Sequence, residues 1–402
     1  MKRLCGRFFR GWLALWTSFS LLLAGCAGLD PAPAPPTALF ADSRFAPPSE
    51  AVGAADLFTL SPAMRAYLDS PAFQERLRAK GSRHGLVDAL YSQTDLKLEY
   101  DSTNTRNARE TYAARIGNCL SLVVMTAAFA KELGMPVQYQ SVSMDHLWSR
   151  NNGLYLSSSH INISLGPNTG DVRRGHDPRQ LLTVDFLARE DAARLRSRTL
   201  EEDDVIALYL NNRAAEALLR GRLDDAYWWA RAAVGVRPRL VSALNTLGVI
   251  YQRHGDLALA ERTFASALTQ EPENLAVLRN LEPLLTALGR LQEAQLLAKR
   301  IAGIEPVPPY HWFDQGVAAL KAGRNERALE LFEREVRRAP YNDEFRFWLG
   351  MAYLRAGNVG EAREHIALAV DNSTQRDMRE LYAAKLAQLR QAALGRPGTH
   401  IR

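Results

Sequence analysis

Three kinds of side chain near the middle of this chain can together do covalent chemistry on a carbonyl: a thiol, imidazoles and carboxylates. The thiol is Cys119, in the run RIGNCLSLVVMTAAFAKELGMP from Arg115 to Pro136, at the mouth of an apolar stretch of helical length. A helix start offers unpaired N–H groups and the positive end of the macrodipole, and both favour thiolate over thiol. The imidazoles that follow are His146, His160 and His176, and the carboxylates are Asp145, Asp171, Asp177 and Asp185. An imidazole beside the thiol can take its proton, pair with the thiolate, and return the proton to a leaving amine. A carboxylate on the second ring nitrogen fixes tautomer and orientation.

His160 stands in SSSHINISL, a strand-like run, whereas His146 in SMDHLWSR and His176 in RRGHDPRQ stand in polar, loop-like segments. A loop histidine is harder to pre-position. Asp185 follows the apolar LLTV, so its carboxylate is partly buried and needs a partner; Asp171 and Asp177 lie in a turn-rich connection, with Asp145 as a further rival. Bland readings stand beside these. A lone cysteine on an apolar helix is commonly an inert core residue, and a strand histidine is commonly bonded to backbone. Trp148 and Tyr155 either wall a cleft or fill the core. One usable thiol and scattered histidines make no metal-ligand spacing, and no glycine-rich phosphate loop occurs, so neither metal nor cofactor is expected.

The elements that must position these groups are legible from punctuation and pattern. Between residues 54 and 115, Pro62 and Pro71 mark helix starts, Gly81 a stop, and Asn107 with Glu110 a capping box for which Thr105 is a competing cap. After the Cys119 helix, Gly134 is a stop, and VQYQSV, GLYLSSSHINISL and LLTVDF read as β-rich runs. One long apolar helix packed on an antiparallel sheet is the economical arrangement. With Cys119 in GNCLSL, His160 in SSSHINISL and Asp185 in TVDF, the region from about 75 to 190 resembles the transglutaminase-like superfamily. That resemblance implies an α+β transglutaminase-like domain over 54–200 with a papain-like triad: Cys119 as nucleophile, His160 as base, Asp185 as its orienter.

From about residue 204 the chain repeats. Gly221, Gly255, Gly289, Gly323 and Gly357 recur every 34 residues, as do Ala226, Ala260, Ala294, Ala328 and Ala362, and Pro238, Pro272, Pro306 and Pro340. That is the tetratricopeptide (TPR) period. The copy at 241–274 carries Leu244, Leu247, Gly248, Tyr251, Gly255, Ala260, Phe264, Ala267 and Pro272, the residue types of that family. Residues 204–395 therefore read as an all-α TPR solenoid of about five repeats plus a capping helix, RDMRELYAAKLAQLRQAAL. Tyr227, Trp228, Trp229, Tyr251, Trp312 and Trp348 are core residues of the helix pairs or line the binding surface.

The first residues are an address rather than structure. Lys2, Arg3, Arg7 and Arg10 precede the apolar WLALWTSFSLLLAG, the layout of a secretory signal over residues 1–25. Its end, LLAGC, resembles the lipobox of bacterial lipoproteins, which implies lipidation of Cys26. Ala27 lacks the aspartate that retains lipoproteins at the inner membrane, so the resemblance implies an outer-membrane lipoprotein facing the periplasm. Residues 26–53, rich in Pro and Ala, read as an extended tether. Cys5 leaves with the signal and Cys26 is modified, so of three cysteines Cys119 is the only free thiol. Residues 1–25 carry four basic and no acidic side chains, so removing them takes the net charge from +6 to +2 and the case for nucleic acid with it.

Two functions follow. One is a membrane-anchored thiol acyl-transfer enzyme, a cysteine-dependent amide hydrolase or acyltransferase, whose TPR module holds an envelope protein or peptide on its concave surface. The other is a non-catalytic envelope scaffold that binds partners through its repeats and an inactive transglutaminase-like domain.

Overall fold

A computed structural model describes residues 36–92, 96–142, 148–151, 154–157, 160–175, 177, 179–186 and 197–394. Residues up to Ala38 form one unit, described only from Pro36, and the chain from Leu39 forms another. The signal segment, Cys26, Asp145, His146 and His176 lie outside the described residues. No described helix is long and apolar enough to cross a membrane.

Four short helices come first: α1 (Pro62–Leu68), α2 (Pro71–Lys80), α3 (Ser82–Tyr91) and α4 (Ala108–Ala114). The Ser61 and Ser70 hydroxyls accept the amides of Met64 and Phe73, and each following proline sits where no intrahelical N–H is needed. Gly81, at φ 77°, ends α2. Asn107 and Glu110 form the capping box of α4. Strands β1 (Glu99–Tyr100) and β2 (Ile116–Gly117) flank α4 and pair in parallel, Tyr100 opposite Gly117. Helix α5 (Cys119–Glu132) follows at once. Every residue from Leu120 to Ala130 is buried, as a helix apolar on all sides requires.

The β-rich stretch comprises β3 (Val137–Val142), the hairpin β4 (Trp148–Asn151) and β5 (Leu154–Ser157), then β6 (His160–Leu165), a short helix α6 (Thr169–Arg173), β7 (Leu182–Val184) and β8 (Ser197–Leu200). The main sheet runs β7-β6-β3-β8, antiparallel throughout, with Val142 opposite His160 and Gln140 opposite Asn162. GLYLSSSHINISL thus serves two sheets: among the described residues β5 pairs with β4, while β6 enters the centre of the main sheet. Ile161, Ile163 and Leu165 join the core that contains α5.

Helix pairs fill the rest: α7 (Glu202–Leu219) with α8 (Leu223–Val236), α9 (Val241–His254) with α10 (Leu257–Gln270), and α11 (Leu275–Ala287) with α12 (Leu291–Ile304). Next come α13 (His311–Lys321) with α14 (Asn325–Arg338), α15 (Asp343–Arg355) with α16 (Val359–Asn372), and the closing α17 (Arg376–Leu394). The five periodic glycines turn each pair with φ between 71° and 93°, the region glycine enters at little cost. The five periodic alanines are buried. A Cβ on Gly248 would lie 2.5 Å from the Phe264 ring, which is why a hydrogen stands there. Leu386 and Leu389 of α17 pack with Ile366 of α16.

The tether expected through residue 53 is replaced from Leu39 onward by a docked strap. Phe45 is buried and stacks on Tyr227 at 3.9 Å. Tyr227 donates to Asp42 at 2.5 Å, Trp228 Nε1 to the Ala46 carbonyl at 2.6 Å, and Ser49 Oγ to Asp225 at 2.8 Å. Glu50 is paired with Arg213 at 3.1 Å and Arg222 at 3.3 Å. Each contact is made by one residue or one backbone group, so the strap leaves no periodicity to read. It also explains several aromatics: Tyr227, Trp229 and Tyr251 are core, and Trp228 is half-buried.

Candidate active site

Cys119 is the first residue of α5 and is half-buried, not sealed. Asn118 caps the helix, accepting the Ser121 amide at 2.9 Å and the Ser121 hydroxyl at 2.8 Å. Its Nδ2 donates to Thr105 Oγ1 at 2.7 Å in a buried contact, the task Thr105 performs instead of capping α4. The Thr105 amide donates in turn to Glu216 of α7 at 2.6 Å. Burial pushes the Glu216 carboxyl above its ordinary range, against the pull of Thr105 and Arg213.

His160 begins β6 and is almost fully buried. Its Nε2 lies 2.6 Å from Asp185 Oδ1, the residue just beyond β7. The antiparallel β6–β7 pairing, Ile163 opposite Val184, brings the two together. Nδ1 is buried without a hydrogen-bond partner among the described residues. Burial pulls the imidazole down, but the Asp185 hydrogen bond, then Cys119, outweigh it and push the ring up to about 9. Imidazole and carboxylate are thus paired through Nε2, which leaves Nδ1 as the ring nitrogen open to a second partner.

Two residues here have no signal in the sequence. Tyr91, at the end of α3, donates to the Asp185 carbonyl at 2.5 Å and stacks on Phe186 at 5.8 Å. Asn162, two residues along β6 from His160, is buried with no partner for Oδ1. The rival Asp171 is buried elsewhere, accepting the Ser82 amide at 3.3 Å at the start of α3, and Asp177 is exposed. Trp148 and Tyr155 lie in the β4–β5 hairpin; their side chains are outside the described residues. Among the described residues, no group of three or more His, Cys, Asp or Glu is placed to hold a metal ion.

Residues 313–377 match the tetratricopeptide repeat family. The TPR region is similar to PilF of Pseudomonas aeruginosa, at 20% identity over 48% of this chain and 88% of that one, TM-score 0.27. It is similar also to YrrB, described as a TPR protein with an unusual peptide-binding site, at 20% identity over 46% and 94%, TM-score 0.25. A thermophilic TPR protein of Thermus thermophilus is 20% identical over 45% and 99%, TM-score 0.28. No curated protein matches the chain.

Proposed function

We propose that this chain is a partner-binding protein whose TPR solenoid holds a segment of another protein. The observation that carries this is the stack of helix pairs on a 34-residue period, with one stretch, 313–377, matching the TPR family. Such arrays present long surfaces to peptides and seldom carry catalytic groups. Lipidation at Cys26, with outer-membrane anchorage facing the periplasm, is part of the proposal and rests on LLAGC. Affinity capture of the full chain from membranes should return one discrete envelope protein in a fixed ratio. Recovery of nothing above background contradicts partner binding.

A second reading is favoured by one specific observation, the 2.6 Å contact of His160 with Asp185 beside Cys119. In it the α+β domain is transglutaminase-like and works by thiol acyl transfer. His160 Nδ1 takes the thiol proton as Cys119 Sγ bonds to an amide carbonyl carbon. The C–N bond then breaks, the proton leaves on the amine, and the thioester passes its acyl group to water or another amine. Asp185 holds the ring for both transfers. Amides at the start of α5, which lack intrahelical acceptors, are candidates for the oxyanion. A thiol-directed electrophile should label Cys119 in the folded protein near neutral pH, and His160→Ala should slow it about tenfold or more. An unreactive Cys119 leaves the scaffold alone.

A further inference from the structure

The solenoid's apolar core is interrupted between the third and fourth helix pairs. One cluster ends at Leu284 of α11 and the next begins at Tyr310, ahead of α13. Between them α12 buries only Ala294, and Leu291, Leu296 and Ile304 stand 57%, 65% and 37% exposed. A solenoid ordinarily covers such a face with its next repeat. Beside the interruption lies a shallow, open groove of about 560 Å³, lined by Ile304, Pro306, Val307 and Trp312 and by three arginines, Arg334, Arg337 and Arg338, of α14.

The polar lining has a definite sign. Glu305 is the lining carboxylate, and it is already held by Arg279 at 2.5 Å and by Arg338. Arg337, 68% exposed, has only a 3.6 Å contact with Glu333 one turn back on its own helix, a surface pair worth little. Arg334 and the Trp312 indole N–H have no partner among the described residues. An apolar floor with unspent guanidinium groups and an indole donor at its edge is complementary to one chemistry: a carboxylate next to an aliphatic or aromatic side chain. The volume suits a few side chains.

We propose that this junction is a docking site for an acidic peptide segment that seats an apolar side chain on Ile304, Val307 and Trp312 and sets carboxylates against Arg334 and Arg337. The proposal rests on the partner-binding reading and names the chemistry of that partner. A fluorescein-labelled peptide of about a dozen residues, rich in Glu and Asp and carrying Leu and Phe, should bind the full chain. Its amide counterpart, with Gln and Asn throughout, should bind at least about tenfold more weakly. Arg334→Glu alters only an exposed side chain, so it should keep the thermal midpoint while weakening the acidic peptide by a similar factor. Binding should also quench tryptophan emission, a signal that Trp312→Phe removes. Equal affinity for both peptides, an unaffected Arg334→Glu, or no saturable binding overturns the proposal. If Arg334→Glu still captures the membrane partner, this site is wrong while the solenoid's role stands; if the unaltered chain captures none, partner binding itself fails.

Discussion

At the scale of single residues, the contact with Asp185 gives His160 a raised pKa. A group whose folded pKa lies above its unfolded value contributes stability that is complete below the unfolded pKa and is lost as pH rises through the folded one. For His160 that window runs from 6.5 to about 9. The thermal midpoint should therefore fall across this range by more in the unaltered protein than in Asp185→Asn, which lacks the ion pair. Equal slopes in the two proteins contradict the contact. Tyr91→Phe removes the hydroxyl that fixes the Asp185 backbone and should slow Cys119 labelling without unfolding the chain. The placement of Cys119 at a helix start and of His160 on a strand is legible because each stands at a readable boundary. Tyr91 is not, because its contact with Asp185 spans 94 residues of sequence.

At the scale of elements, the segment from Tyr100 to Thr105 ties the two parts of the chain together. It pairs with Gly117 beside Asn118, its Thr105 amide and side chain reach Glu216 and Asn118, and Ser102 donates to the Thr374 carbonyl at 2.7 Å. Arg379 of α17 donates to the Tyr100 carbonyl at 3.2 Å. Both the first and the last helices of the solenoid thus bear on the backbone that sets the start of α5. Glu216→Ala strands the buried Thr105 amide and should cost about 1–3 kcal/mol. It should also slow Cys119 labelling, whereas Glu216→Gln, which keeps an acceptor, should restore both; a variant that loses stability with labelling unchanged breaks the link. Gly248→Ala forces a Cβ against the Phe264 ring and should cost about 1–3 kcal/mol by denaturant unfolding. Glycine, alanine and proline periodicity made the helix pairs readable in advance. Nothing periodic records the interruption after α12, where the spacing continues but the packing does not.

At the scale of the whole molecule, the strap from Leu39 to Glu50 belongs to the folded body. Burial and stacking of Phe45 on Tyr227 make Phe45→Ala a large-to-small core change, with an expected loss of about 3 kcal/mol in the denaturant midpoint analysis. A loss below about 0.5 kcal/mol means that the strap is not docked. The proposal that the repeats hold a segment of another protein belongs to this scale. Cross-linking the full chain in a membrane extract, with the linked residues of chain and captured partner mapped by mass spectrometry, tests it most directly. Links concentrated on α7–α16 are the result expected of a partner-binding solenoid; a partner linked only to residues before 200, or none at all, contradicts it.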